Sequence, residues 1–270
     1  MNCRNKIAIL FFLFASISLN ATISQDKNIK HIFVDINTIL TVNSYTASKI
    51  IGWINSGKYF GKTGHNPSKA DFFKALKDAP AITDQQTYND DLLMPVILCD
   101  WLLGLQTNHA IRSTISQYLD KSPISDIEKI IFKNIAAMMM SPSIFIETQY
   151  LIKDFSKIFN SLKKSGYTIY LIGNYDKESE PYLFRLLSGN SLPDVNHCYF
   201  SNKAKELKPS PEYFDQLLQN YNISKKECLI IDIEKNHALS ARNQGFNTIL
   251  LHGHSPSQLK SELARIGIRV

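Results

Sequence analysis

Hydrophobic and polar positions keep two different rhythms along this chain. The run "HIFVDINTIL" (31–40) reads as a short buried strand that ends on the carboxylate of Asp35, after which the chain turns polar. From about Tyr45 to Phe145, apolar residues recur at three- and four-residue spacing. "DLLMPVILCDWLLGLQ" and "DIEKIIFKNIAAMMM" both show this period, which belongs to helices buried on one face. Gly57, Gly61, Gly64 and Pro67 supply turn residues within that stretch. From Glu147 onward, helical and extended patterns alternate. "YLIKDFSKIFNSLKKSG" predicts an amphipathic helix closed by Gly166 as a left-handed cap, and "YTIYLIGN" a buried strand. A helix in "PYLFRLLSG" and a short strand in "HCYFS" follow, then a helix in "SPEYFDQLLQNYN" with Pro211 in its first turn. "ECLIIDI" predicts a strand, "NHALSARNQG" a helix capped by Gly245, and "NTILLHG" the last strand.

Strands that alternate with helices predict an α/β fold, a Rossmann-like doubly wound parallel sheet with helices on both faces. The helical stretch after the first strand then reads as an inserted all-helical cap over 45–145, with 22–44 and 146–270 forming the α/β core. In such sheets ligands bind at the carboxyl ends of the strands. Those ends carry Asp35, Gly173 with Asn174, Ser201, Asp232 with Glu234, and the His252 loop.

The first 21 residues follow another pattern. "MNCRNK" is positively charged, "IAILFFLFASISL" is almost wholly apolar, and "NAT" offers Ala21 as a small residue. This is the layout of a secretory signal peptide, and the apolar run is shorter than the roughly 20 residues of a membrane span. The expectation is export to a periplasmic or secreted location, with no stable membrane span after cleavage; an uncleaved anchor is the alternative. Removal of Cys3 with that segment leaves Cys99, Cys198 and Cys228, an odd number without the close spacing of a zinc motif or a disulfide framework, so they read as buried small hydrophobes. The composition, 44% hydrophobic and 20% charged, is that of a globular protein. A net charge of +6 spread over the chain does not suggest a nucleic-acid partner. Oligomeric state is not legible.

Four stretches in order carry a family pattern. "HIFVDINTIL", "LKKSGYTIYLIGN", "KELKPSPEYF" and "CLIIDIEKNHALSARNQGFNTI" resemble the four motifs of the haloacid dehalogenase-like hydrolases, in the branch with a helical cap after the first strand. The resemblance implies that Asp35 attacks phosphorus and forms an aspartyl-phosphate. It implies Mg²⁺ held by Asp35, the main-chain carbonyl of Asn37 and Asp232, with Lys208 stabilising charge in the transition state. It also implies a small phosphorylated or acyl-phosphate substrate, contacted by the main chain at Gly173 and Asn174, with Glu234 or Asn236 orienting a water.

Three positions depart from that pattern. Asn37 stands where the family's phosphatases carry the acid that protonates the leaving group, and an amide cannot exchange that proton. Such help is typically worth about 10²–10⁴ in rate. Gly173 lacks the hydroxyl expected before Asn174, and Ile233 replaces a second acid beside Asp232. The expectation is therefore a phosphohydrolase of low or atypical activity. The alternatives are a degenerate phosphate- or protein-binding module and, with less support, a 2-haloacid dehalogenase, since halide departure needs no proton.

Other signals are weaker. "SGKYFGKTG" around Lys62 lacks the spacing of a nucleotide-binding loop and leaves Lys62 only as a candidate substrate contact. His252 and His254 read as a solvated loop, and His237 as a surface residue at a helix start. Trp53, Trp101, Phe132 and Met138 to Met140 read as packing of the cap helices.

Overall fold

The structure is a computed structural model that describes residues 28–42, 69–86, 88–89, 92–188 and 197–270. The predicted signal segment, Trp53, Lys62 and the turn residues from Gly57 to Pro67 lie outside the described residues. No described helix is long and apolar enough to cross a membrane.

The chain opens with β1 (His31–Asp35), a single helical turn α1 (Ile36–Ile39) and β2 (Leu40–Val42). The helical stretch follows as α2 (Lys69–Ala75), a two-stranded pairing of β3 (Tyr88–Asn89) with β4 (Leu92–Leu93), α3 (Val96–Leu102), α4 (Asn108–Lys121), α5 (Asp126–Met139) and α6 (Pro142–Glu147). Then come β5 (Gln149–Leu151), α7 (Lys153–Lys164), β6 (Thr168–Gly173), α8 (Glu180–Ser188), β7 (Cys198–Phe200) and α9 (Ser201–Ala204). The chain closes with α10 (Pro211–Tyr221), β8 (Cys228–Asp232), α11 (Lys235–Asn243), β9 (Asn247–Leu250) and α12 (Pro256–Arg265).

The main sheet is parallel, in the order β7-β6-β1-β8-β9. Its central strand β1 is covered on both faces, which is why it reads as a continuous apolar run rather than an alternating one. Successive side chains of a strand point to opposite faces. Ile32 and Val34 accordingly join one cluster with Phe155 and Phe159 of α7, Leu183 of α8 and Leu259 of α12. Phe33 joins the other cluster with Tyr213 and Phe214 of α10 and Ala241 of α11. Each fully buried large apolar side chain contributes about 1.5–3 kcal/mol, so this layered core rather than local propensity holds the strand ends in place.

The helical stretch has a core of its own, built around Phe72, Trp101, Ile111, Ile115 and Phe132. Ser125 and Glu128 form a reciprocal capping box that starts α5. Leu207, from the loop before α10, reaches into this second core. Polar contacts join the two bodies: Ser201 Oγ donates to the Leu102 carbonyl at 2.6 Å and Lys205 Nζ to the Leu103 carbonyl at 2.9 Å. The main-chain N–H of Asn108 donates to Glu178 Oε1 at 2.8 Å.

Two elements differ in extent from the sequence pattern. The helix expected from Asp91 begins only at Val96, because Pro95 has no N–H and disfavours helix at the residue before it. Leu92–Leu93 pairs with Tyr88–Asn89 instead. The helix expected from Tyr150 begins at Lys153, because Gln149–Leu151 pairs antiparallel with Leu40–Val42. The helix α12 lies beyond the last strand the pattern identified.

Candidate functional site

Asp35 ends β1 and Asp232 ends β8, adjacent strands of the sheet, so their carboxylates emerge side by side at its carboxyl edge. The main chain enters helix directly after Asp35 and, after a two-residue turn, at Lys235 beyond Asp232. Asp35 N-caps α1, its Oδ1 accepting from the N–H of Asn37 at 2.8 Å. Asp232 Oδ1 accepts in the same way from the N–H of Glu234 at 2.8 Å. The second oxygen of each acid turns to Lys208, whose Nζ lies 2.5 Å from Asp35 Oδ2 and 2.5 Å from Asp232 Oδ2. All three side chains are at most 1% exposed.

Lys208 is held by its backbone. Its N–H donates to Asn174 Oδ1 at 2.8 Å and its carbonyl accepts from Asn174 Nδ2 at 2.9 Å. Asn174 follows β6, so the strand beside β1 positions the ammonium. Sequence reasoning assigned Asn174 a main-chain contact to substrate; its side chain is instead engaged in clamping the lysine.

Gly173 has φ +155°, and a Cβ there would lie 2.9 Å from Ile36 Cγ2 and 3.3 Å from Asp35 Oδ2. The missing hydroxyl is therefore not a simple omission: the packing of Ile36 leaves no room for a side chain. The Gly173 N–H donates to the Tyr213 hydroxyl at 3.3 Å, and that hydroxyl donates to the Tyr199 carbonyl at 2.7 Å. Burial holds the Tyr213 phenol well above its ordinary pKa, so it stays neutral.

Burial raises the pKa of Asp35; Lys208 pulls it back down and Asp232 pushes it further up. For Lys208, burial acts to lower the pKa, yet Asp232 and Asp35 together leave it raised. Two buried carboxylates thus share one ammonium, and the cluster is one positive charge short. That deficit and the oxygen-rich donor set fit a hard divalent cation, with the two acids as side-chain ligands.

The sequence reading places His237 on the surface, and the structure corrects this. His237 lies in the first turn of α11 with 8% exposure, and its Nδ1 is 3.8 Å from Asp232 Oδ2. That nitrogen is buried and makes no hydrogen bond. Burial, followed by the charge of Lys208, lowers its pKa to about 3, so the ring is neutral. The signal for it was present: His237 follows Asp232 by five positions, and a strand-turn-helix joint turns the first helical residues back toward the strand tip.

The remaining expected residues lie elsewhere or serve the fold. Asn37 is exposed on α1. The Ser201 hydroxyl accepts from the Tyr175 N–H at 3.0 Å and bonds Leu102, so it ties loop to helix. Ile233 packs against the sheet core. His252 and His254 are exposed, with His254 Nδ1 3.2 Å from the Thr38 carbonyl. Cys99, Cys198 and Cys228 are buried thiols.

No curated protein matches the chain. Among solved structures it is similar to a HAD family enzyme from Bacteroides thetaiotaomicron, with 17% identity over 88% of this chain and 99% of that one, at a TM-score of 0.56. A structure of the same enzyme in complex with magnesium and inorganic phosphate aligns at 16% identity over 86% and 98%, TM-score 0.54. A predicted HAD-like family hydrolase from Porphyromonas gingivalis aligns at 15% identity over 88% and 98%, TM-score 0.53. At these identities the likeness concerns the fold. The family model described as haloacid dehalogenase-like hydrolase matches residues 99–251, more than half of the chain, and spans Asn174, Lys208 and Asp232. Sequence model, sheet order and the paired acids agree, and the chain belongs to the haloacid dehalogenase-like hydrolases.

Proposed function

We propose that this chain hydrolyses a small phosphorylated compound through Asp35, and that acyl phosphates are better substrates than alkyl phosphate esters. The observation that carries the reading is the buried bridge from Lys208 to Asp35 and Asp232. A non-catalytic scaffold gains little from burying two acids on one ammonium, since well-packed apolar residues serve stability as well or better. Asp35 attacks phosphorus as the bond to the leaving oxygen breaks, and the electron pair departs with that oxygen. Water then cleaves the phosphoaspartate, returning the carboxylate and releasing inorganic phosphate. Lys208 stabilises the charge on the phosphoryl oxygens, and Asn174 keeps it in place.

Asn37 decides the leaving group. Its amide has no proton to give, so a carboxylate leaving group departs readily and an alkoxide does not. Asp35, the Asn37 main-chain carbonyl and Asp232 hold the divalent cation, which neutralises phosphoryl charge when bound. The magnesium and phosphate bound by the Bacteroides enzyme of like fold support this reading. Export through the N-terminal segment belongs to the same proposal and is tested by N-terminal sequencing of the mature chain.

The test is turnover of acetyl phosphate and of an aryl phosphate, with and without Mg²⁺. Metal-dependent turnover is expected, with acetyl phosphate preferred. Asp35→Asn abolishes it, and Asn37→Asp raises ester hydrolysis by up to about 10²–10⁴. Silence in all three proteins overturns the hydrolytic reading in favour of a binding module, and metal-free chloride release from 2-haloacids overturns it in favour of halide displacement.

A further inference from the structure

We infer that His237 is a nitrogen ligand of the cation site, and that the site therefore prefers a transition cation such as Mn²⁺ or Zn²⁺ to Mg²⁺. The inference rests on the reading that Asp35 and Asp232 hold a divalent cation, and it changes which cation that is.

Three groups converge here: Asp35, Asp232 and His237 each offer one ligand atom, and these atoms all lie within 4.8 Å of one another. First-row cations bind nitrogen and oxygen at about 2.0–2.2 Å, so two ligands across such an ion stand about 4.0–4.4 Å apart. Adjacent ligands of one ion stand closer, about 3–3.6 Å apart, and His237 Nδ1 already lies 3.8 Å from Asp232 Oδ2. The His237 nitrogen is the second, independent sign of a ligand. It is buried and without a hydrogen bond, within 4.8 Å of a carboxylate oxygen of each of the two acids. An unsatisfied buried polar atom costs about 1–3 kcal/mol, and ligation removes that cost.

The donor set decides the preference. Carboxylate and carbonyl oxygens suit Mg²⁺, whereas imidazole suits zinc and the other transition ions, which bind a mixed nitrogen and oxygen site more tightly. Lys208 sharpens the choice. Its ammonium already holds Oδ2 of both acids, so an entering cation competes with it for the same pair. Magnesium gains little from an imidazole donor, whereas a transition ion draws on that uncontested nitrogen as well as on the oxygens. No other imidazole among the described residues joins such a cluster.

The experiment is Mn²⁺ titration of the whole purified protein, read by electron paramagnetic resonance, with Mg²⁺ as competitor. Histidine-specific ¹⁵N labelling is read by electron spin-echo modulation. The expected result is Mn²⁺ bound at least about tenfold more tightly than Mg²⁺, with a nitrogen coupling that changes on histidine labelling. His237→Asn should weaken Mn²⁺ about 10–100-fold and Mg²⁺ much less. Should that variant not fold, the coupling in the unaltered protein still decides the matter. Bound Mn²⁺ with no histidine coupling overturns the inference and leaves the cation-dependent hydrolase standing. Absence of binding by either cation overturns both.

Discussion

Asn174 grips Lys208 by both sides of its main chain, accepting from its N–H and donating to its carbonyl. A lysine held only by its charge would follow its flexible stem. This one is fixed at the backbone, so its ammonium approaches the two acids from a set position. Asn174→Ala removes both bonds and strands two main-chain groups, at a cost of about 1–3 kcal/mol. Urea unfolding measures that loss. A larger fall in turnover than in stability identifies Asn174 as a positioning residue.

Removing the ammonium should be worse. Lys208→Met leaves Asp35 and Asp232 buried together without a cation, a loss of about 3–5 kcal/mol. Neutralising the acids as well, in Lys208→Met with Asp35→Asn and Asp232→Asn, should recover most of the stability and none of the activity. Denaturation midpoints of the single and triple variants check this. A single variant as stable as the parent would remove the bridge from the argument.

Gly173→Ser restores the hydroxyl that the family pattern places before Asn174. It should nonetheless lower stability by about 1–3 kcal/mol and leave phosphatase activity no higher, because the new Cβ meets Ile36 at 2.9 Å with φ at +155°. Pairing it with Ile36→Ala opens the space and should relieve part of the cost. Thermal melts of the single and double variants read the difference.

Glu180 supplies a pH dependence away from the cation site. Burial raises its pKa above 4.5, although Asn202 Nδ2 donates to its Oε1 at 2.6 Å and opposes the shift. Between the ordinary and the raised value, the folded chain keeps a proton that the unfolded chain releases. Its contribution to stability is therefore greatest below the ordinary value and declines as pH rises through the raised one. Glu180→Gln should gain on the parent as pH climbs above the ordinary glutamate value in urea titrations. A constant difference across that range would exclude Glu180 as the source.

The α/β body was legible because its signals are local and periodic: apolar runs, a left-handed glycine at Gly166 and Gly245, and Pro211 opening a helix. Asp35 and Asp232 were legible as strand ends that a parallel sheet gathers on one edge, whereas Lys208 was legible only through the resemblance of "KELKPSPEYF" to the family's third motif. Three-dimensional facts escaped. His237 reads as a polar helix-start residue, and only the turn at Ile233 and Glu234 shows that it faces back into the site. Gly173 reads as a lost hydroxyl, and only Ile36 shows that none would fit. The strand at Gln149–Leu151 depends on a partner more than a hundred residues away in sequence, which no local window contains.

That pairing has a wider meaning. Val42 and Gln149 face each other across the β2–β5 ribbon, so the chain leaves for the helical stretch and returns from it at a single point. Everything from 43 to 148 is, in topological terms, the loop of one long hairpin. A tight turn joining Val42 to Gln149 could replace it without changing the register of any strand in the main sheet. The ribbon thus closes both ends of the intervening chain at one place, independently of the β7-β6-β1-β8-β9 order that sets the two acids.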